Sequence, residues 1–302
     1  MTPLRLGTRG SDLALWQTRW VIGALQKRHP ELEVEEVIIR THGDGHQDMA
    51  MHSPDWPAGS FVTALEESML RGEIDLAAHS CKDLPSQLPE ELTIAAFPDR
   101  TVVHDVLLAR EAVDLECLPA GFRVGTSSPR RSAQFLKFCP SVELVAIRGN
   151  VPTRVSKLAT GEYDGVILAA AGLSRLDLDT PHMTSLPTDR FVPAPAQGAL
   201  AVETRRDSES AEIVSAIDDA SVRRMVEAER AVLRAVAATC QTPVGALAVI
   251  EGDGVSLHGQ LFTDDLVHVA DGRLIGDDPF AVGSELGATL RAQLERAACG
   301  SG

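Results

Sequence analysis

Long hydrophobic runs and a signal-peptide pattern are both lacking in this 302-residue sequence. No apolar stretch approaches the roughly eighteen residues that a membrane-spanning helix needs. The chain opens directly into LRLGTR, without the basic and then apolar segments of a secretory signal peptide. We therefore expect a cytoplasmic protein with no membrane partner. Its length predicts two or three domains, and its composition, 44% hydrophobic and 24% charged, is that of a globular protein.

Paired cysteines are also lacking. The five cysteines are an odd number and none lies in a CxxC pair, which disfavours a disulfide framework and a zinc site. One reduced cysteine with a chemical role is left open. Three histidines fall in the stretch THGDGHQDMAMHSPDWPAGS, residues 41–60, which has neither helix nor strand periodicity. Without partners at ligand spacing, this stretch is predicted to be a functional or disordered loop, and no metal is expected.

Positive charge is scarce, because the formal net charge is −15. Nucleic acid is therefore not expected as a partner, since phosphate binding needs a basic surface. Several arginines nevertheless fall within one stretch of the chain: Arg130, Arg131, Arg148, Arg154 and Arg175. This concentration fits an anion site built from guanidinium groups, and it fits unrelated surface ion pairs equally well.

Strand and helix patterns alternate along most of the chain. Leu4–Arg9 alternates like a strand, and Ser11 fits the N-cap of the helix that follows. From Asp105 the alternation restarts with nearly continuous apolar strands, which predicts a parallel sheet covered on both faces. The lone strand Ala199–Thr204 could return to the first sheet and would then make the first domain discontinuous.

The last part of the chain has a different pattern. The segments GALAVIEG, GVSLHGQLF and LVHVADGRLIG, separated by turn signals, predict an antiparallel meander, and an amphipathic helix closes the chain. The fold class predicted is α/β, with two α/β domains and a small C-terminal α+β domain. The predicted boundaries are 1–98 together with 199–217 for the first domain, 104–193 for the second and 220–302 for the third.

The motif HSCKDLP follows a buried apolar strand. Ligands of open α/β sheets bind at such strand ends, so Ser80, Lys82 and Asp83 are well placed for a site. A carboxylate beside a lysine can stay ionised or move a proton in a closed cleft. A helix cap followed by a proline turn explains the motif equally well.

Two further motifs, GTSSPRRSAQ and RGNVPTR, each predict a helix that begins directly after a strand. The free N–H groups and the dipole at such a helix start favour a small polyanion. Ser127 or Ser128 would cap the first helix in any case, and Gly149 allows close backbone approach. Cys240, in the loop ATCQTPVG, lacks a histidine partner, so its surroundings favour a structural residue over a protease-like nucleophile.

Taken together, seven motifs resemble the porphobilinogen deaminase family in order and in approximate spacing: TRGSDLALWQ, AAHSCKDLP, VGTSSPRRSAQ, IRGNVPTR, ILAAAGLSRL, PAQGALAVE and TCQTPVG. The resemblance implies two domains like those of periplasmic binding proteins around a cleft, plus a smaller α+β domain. It also implies a monomeric transferase that links four porphobilinogen molecules head to tail into linear hydroxymethylbilane. Ammonia is released at each step, and the chain grows on a covalently bound dipyrromethane cofactor.

The resemblance assigns roles to individual residues. Cys240 would hold the dipyrromethane through a thioether, and Asp83 would assist ammonia release, stabilise the pyrrole nitrogen cation and move protons during C–C coupling. The remaining cofactor-binding positions are Ser80, Lys82, Thr126, Ser128, Arg130, Arg131, Arg148 and Gly149, with Asp83 among them. The substrate-binding positions are Arg9, Gln17, Phe61, Arg148, Arg154, Arg175, Gln197 and Gly198, whose arginines would pair with acetate and propionate groups.

The chain departs from the family pattern mainly between residues 41 and 60. Residues 57–60 are Pro-Ala-Gly-Ser where Gly-Gly-Lys-Gly is usual, and His42 replaces an arginine, so two cations are missing from the family's lid segment. One alternative is therefore a specialised paralogue that acts on a related pyrrole or in a secondary pathway. Another is a non-enzymatic binder of a carboxylated small molecule, since the same fold serves solute-binding proteins.

Overall fold

The computed structural model of the chain describes residues 3–39, 60–178, 180, 182–239 and 241–299. The strands in these ranges are β1 (Leu4–Thr8), β2 (Val34–Ile38), β3 (Leu76–Ser80), β4 (Leu92–Ala96), β5 (Asp105–Ala109), β6 (Arg123–Gly125), β7 (Glu143–Val145), β8 (Gly165–Ala169), β9 (Met183–Ser185), β10 (Leu200–Arg205), β11 (Val244–Glu251), β12 (Gly254–Phe262) and β13 (Val269–Gly276). The helices are α1 (Asp12–Arg28), α2 (Ser60–Leu70), α3 (Pro129–Phe138), α4 (Val151–Ala159), α5 (Ala170–Arg175), α6 (Glu209–Ser215), α7 (Ala220–Ala235) and α8 (Pro279–Cys299).

The chain divides into two compact units. The first contains Met1–Arg100 and Ala199–Arg223, and the second contains Thr101–Gly198 and Arg224–Gly302. No helix in the described ranges is both long enough and apolar enough to span a membrane.

The first unit is built on a five-stranded sheet in the order β2-β1-β3-β10-β4. Strand β1 runs parallel to β2 and β3, whereas β10 is antiparallel to β3 and β4. The prediction that the lone strand after residue 198 returns to the first sheet is therefore confirmed. Ser11 caps α1 as predicted, with its Oγ accepting the Ala14 N–H at 3.4 Å. The helix buries Val21 and Leu25 in the core of this sheet, each contributing about 1.5–3 kcal/mol.

The second unit contains a five-stranded sheet in the order β7-β6-β8-β5-β9. Strand β6 is parallel to β7 and β8, but β5 is antiparallel to β8 and β9, so the prediction of a parallel sheet is wrong for this part. The error has a physical cause. Every residue of β5 is buried and all but Asp105 are apolar, and such a pattern does not show whether the strand runs parallel or antiparallel to its neighbours.

The second unit also contains the predicted antiparallel meander, β11-β12-β13. Alternate residues of its strands pack against α7 and α8, with Val232, Leu257 and Leu290 at the centre of the apolar cluster. The predicted class, two α/β sheets and a small α+β region, is confirmed.

Candidate functional site

The HSCKDLP motif lies at the C-terminal end of β3, as predicted. The strand ends at Ser80, and residues 81–83 form a single 3₁₀ turn. Ser80 Oγ accepts a hydrogen bond from Nε2 of the buried Gln17 at 2.6 Å. Lys82 is half-buried and Asp83 is exposed. The turn therefore presents a cation and a carboxylate side by side at the end of a buried strand.

Arg9 belongs to the same edge of the first sheet. It directly follows β1, and because β1 and β3 are parallel neighbours, their C-terminal ends lie together. The turn after β3 is fixed by a hydrogen bond from the Cys81 N–H to the Ala199 carbonyl at 3.0 Å. The first unit thus gathers predicted site residues from two neighbouring strand ends.

In the second unit, α3 begins at Pro129 with Ser128 as its N-cap residue. The Ser128 side chain makes no capping hydrogen bond, so its hydroxyl is not used by its own helix. Thr126 Oγ1 accepts the Ser128 N–H at 3.2 Å. Ser127 Oγ donates to the Ile147 carbonyl at 2.8 Å and accepts the Ile147 N–H at 3.1 Å. These bonds tie the loop before α3 to the loop before α4.

The two adjacent arginines of α3 share one buried carboxylate. Asp105, the first residue of β5, is 0% exposed and accepts hydrogen bonds from Arg130 Nη2 at 2.7 Å and from Arg131 Nη2 at 2.5 Å. Gln197 Nε2 donates to the same carboxylate at 3.0 Å. Arg130 Nη1 donates to Gln134 Oε1 at 3.0 Å. One carboxylate therefore positions three of the predicted site residues.

This arginine cluster carries more positive than negative charge, because two guanidinium groups face one carboxylate. Arg130 and Arg131 are only 4% and 7% exposed, so water screens them little. Burial lowers the pKa of Arg130, while the charge of Asp105 opposes and that of Arg131 adds to this effect. Nε of both arginines is buried without a hydrogen-bond partner among the described residues. A carboxylate ligand bound beside the cluster would supply the missing negative charge.

The loop before α4 has a backbone that only glycine adopts without strain. Gly149 has a φ of +117°, and a Cβ there would lie 2.6 Å from Thr153 Cγ2. Asn150 caps α4 by accepting the Thr153 N–H at 2.9 Å, which confirms the predicted helix start. Arg154 Nε donates to the Gly149 carbonyl at 2.8 Å, and Arg148 is exposed. Both arginines of the motif therefore flank one tight loop.

Gln197 and Gly198 lie in a closely held segment. Gly198 has a φ of +83°, and a Cβ there would lie 2.7 Å from the Val102 carbonyl oxygen. Arg175 Nη2 donates to the Gly198 carbonyl at 2.7 Å. Ala196 also has a positive φ, +61°, and its N–H donates to the buried Glu229 carboxylate at 2.5 Å. The surrounding side chains thus fix an unfavourable backbone, a feature common at functional sites.

Three predicted features lie outside the described residues: Cys240, the side chain of Phe61, and the altered loop up to residue 59. Gln241 and Pro243, which follow Cys240 in the sequence, border a cavity of about 350 Å³, a size that suits a small ligand. The cavity is lined by Ser127, Pro129, Ser132, Gln241, Pro243, Asp264 and Leu266. In the described ranges, no group of His, Cys, Asp or Glu side chains is arranged to hold a metal ion.

Asp105 is the main residue of the candidate site that the sequence did not predict. A signal was present, because an aspartate opens the otherwise apolar run DVLLA and α3 carries two adjacent arginines. Buried charges need partners, so an aspartate at the start of a buried strand is a candidate partner for both arginines. Pattern alone does not show which strand end faces which helix.

The fold and the site define a multidomain α/β protein with buried arginines grouped next to strand ends. Residues 4–213 match the family model described as "Porphobilinogen deaminase, dipyromethane cofactor binding domain", and residues 224–292 match "Porphobilinogen deaminase, C-terminal domain". The chain belongs to the porphobilinogen deaminase family, whose members are hydroxymethylbilane synthases and hence transferases with a dipyrromethane cofactor.

Curated relatives match over nearly the whole chain. The porphobilinogen deaminase of Roseiflexus sp. (strain RS-1) is 43% identical over 302 residues, covering 97% of each chain. That of Xanthomonas oryzae pv. oryzae (strain KACC10331 / KXO85) is 44% identical over 279 residues, 92% of this chain and 90% of the relative. Among solved structures, an ancestral cationic amino acid solute binding protein matches with a TM-score of 0.44 and 12% identity, covering 71% of this chain and 87% of its own.

Proposed function

We propose that the protein joins four porphobilinogen molecules head to tail into linear hydroxymethylbilane, on a dipyrromethane attached by a thioether to Cys240. Each condensation replaces the C–N bond of an aminomethyl group by a C–C bond to the next ring. One ammonia leaves, and the ring carbon that forms the new bond loses one proton. After the fourth addition, one water would cleave the link to the anchor, with its hydroxyl group going to the methylene carbon of the first added ring and a proton returning to the anchor ring. The cofactor supplies the covalent anchor, while the chain's own residues bind carboxylates and move protons.

The arginine cluster around Asp105 is the observation that carries this proposal. Its excess positive charge suits a ligand with several carboxylates, and pyrroles with acetate and propionate groups are of that kind. The cofactor and the growing chain would add such groups one ring after another. Because two buried guanidinium groups share one carboxylate, binding the carboxylates of the ligand would balance the charge of the site.

The remaining roles follow the residues that the family motifs mark. We propose Asp83 as the proton-transferring and cation-stabilising group, since it is exposed beside Lys82 and accessible to a ligand. Cofactor carboxylates and ring nitrogens would contact Ser80, Lys82, Asp83, Thr126, Ser128, Arg130, Arg131, Arg148 and Gly149. Substrate would contact Arg9, Gln17, Phe61, Arg148, Arg154, Arg175, Gln197 and Gly198.

We also propose the division into three domains, 1–98 with 199–217, 104–193 and 220–302, in a monomeric cytoplasmic enzyme. In its support, the two α/β sheets and the meander have separate apolar cores. The 220–302 domain would carry the cofactor, because the loop of Cys240 connects α7 with β11.

A mass measurement tests the covalent cofactor. The protein, expressed in a host that makes porphobilinogen and then denatured, should be heavier than its sequence by one dipyrromethane. The addition should disappear in Cys240→Ser and persist in Cys117→Ser, a change at an exposed cysteine. An unmodified wild-type mass would contradict the proposal.

A kinetic measurement tests the role of Asp83. Asp83→Asn should lose nearly all turnover of porphobilinogen, while its melting temperature stays near that of the wild type because the side chain is exposed. Asp114→Asn, at another exposed aspartate, serves as the control. Near-normal turnover in Asp83→Asn would refute the assignment.

A further inference from the structure

Three ionisable side chains are buried together in the first unit, and none of them belongs to the site proposed above. Glu66 on α2 is 8% exposed, His79 on β3 is 6% exposed and Glu203 on β10 is 0% exposed. His79 Nε2 lies 3.0 Å from Glu203 Oε2. Glu66 interacts electrostatically with both of them. We call this group the Glu-His-Glu cluster.

The strand register brings the cluster together. In the antiparallel pair of β3 and β10, His79 is opposite Ala201 and Glu203 is opposite Ala77. The two side chains are therefore diagonal neighbours on one face of the sheet, within reach of each other. Helix α2 covers that face, since its Leu65 and Met69 share an apolar cluster with Ala77.

His79 and Glu203 have few other polar contacts in their buried surroundings. Neither carboxylate oxygen of Glu203 nor Nε2 of His79 has a hydrogen bond that meets geometric criteria among the described residues, and their close approach of 3.0 Å is the contact that each polar group makes there. Burying polar groups without a partner is unfavourable, so a register that keeps this contact is preferred over one that separates the two side chains. Burial and the charge of Glu203 raise the pKa of Glu66, and His79 opposes this, so Glu66 is biased towards its neutral form.

The pair is placed immediately behind the catalytic turn. His79 precedes Ser80, whose backbone is opposite Leu200 and whose hydroxyl accepts the Gln17 hydrogen bond. The next residue, Cys81, donates its N–H to the Ala199 carbonyl. Any shift of β3 against β10 would therefore move the turn that carries Asp83.

We propose that His79 and Glu203 are positioning residues for Asp83, acting through their buried contact, which fixes the end of β3 against β10. The inference rests on the proposed function, because it assigns Asp83 the proton chemistry. Glu66 is not required for the positioning. The pair itself touches neither substrate nor cofactor.

The test compares Glu203→Gln, His79→Gln, the double variant and Glu66→Gln in cofactor-loaded protein, with loading checked by mass. Each single change in the pair should lower kcat for porphobilinogen by roughly tenfold to a hundredfold, as expected for a displaced catalytic group, with KM within about twofold. The double variant, whose two amides can hydrogen-bond to each other, should recover part of kcat. Glu66→Gln should keep wild-type kcat.

The outcomes separate this inference from the proposed function. If wild type and Glu66→Gln fail to convert porphobilinogen, the proposed function fails. If they are active and Glu203→Gln melts earlier but keeps its kcat, the pair is only structural and the inference is overturned. Should Glu203→Gln not fold, Glu203→Asp, which keeps the charge but shortens the side chain, takes its place. Unchanged kcat in that variant would overturn the inference equally.

Discussion

Replacing Asp105 by asparagine tests the arginine cluster most directly. The change keeps the shape of the side chain but removes the carboxylate that accepts hydrogen bonds from Arg130 and Arg131. Removing one partner of a buried ion pair costs about 3–5 kcal/mol, because the remaining charge is left uncompensated. Since two cations depend on this carboxylate and it is 0% exposed, we expect the upper part of that range. This is a large share of the 5–15 kcal/mol that typically separates folded from unfolded protein.

Hydrogen exchange followed by mass spectrometry is the suitable assay, because a multidomain chain does not unfold in one step. Peptides covering β5 and α3 should lose protection in Asp105→Asn. All three tryptophans precede residue 57, so tryptophan fluorescence reports on the first unit and should change little. Asp114→Asn is the control, since Asp114 caps an exposed turn and asparagine caps equally well. Protection in Asp105→Asn within about 0.5 kcal/mol of that control would refute the charge argument.

Other changes test single contacts. Gly198→Ala should destabilise the protein by about 1–3 kcal/mol in thermal melts. The loss should be larger than in Gly252→Ala, where φ is also positive but the added Cβ meets open space, and equal losses would refute the contact with Val102. Ser80→Ala leaves the buried Gln17 amide without its acceptor and should lower the free energy of unfolding by about 1–3 kcal/mol. Ser141→Ala, at an exposed serine, is the control, and equal melting temperatures of the two variants would count against the Gln17 hydrogen bond. The pKa of Glu66 is raised in the folded state, so the native protein binds a proton more tightly than the unfolded chain, and wild-type stability should fall as the pH rises above 4.5. Melting temperatures measured between about pH 5 and 8 should show this decline for wild type and not for Glu66→Gln. If the melting temperatures of the two proteins change in parallel with pH, the raised pKa is contradicted.

The strand-end motifs were predictable because the residues that define them are close together in the sequence. A buried apolar strand followed by HSCKDLP, and a serine-proline pair before two arginines, each specify a chain reversal within a few residues, and both were found where expected. The returning strand β10 was also predictable, since it followed the second α/β pattern without a helix of its own.

Contacts between distant segments were not predictable in the same way. Asp105 and Arg131 are twenty-six positions apart, and their pairing depends on β5 running antiparallel beside β8, a direction that apolar patterning leaves undetermined. The contact of His79 with Glu203 likewise requires knowing that β10 inserts between β3 and β4. Buried ion pairs of this kind are fixed by register, and register follows from the whole sheet.

An acidic protein can bind an acidic ligand because its net charge and the local charge of a binding site act over different distances. The net charge of −15 is spread over the whole chain, and salt screens exposed charges within about 8 Å at physiological ionic strength. Arg130 and Arg131 are nearly fully buried, where the dielectric is lower and screening is weak. The balance at the site is therefore decided by two guanidinium groups against one carboxylate, and the overall charge contributes little to it. Nucleic acid is bound over an extended surface, so the expectation drawn from the net charge does not argue against the proposed binding of a small ligand beside buried arginines.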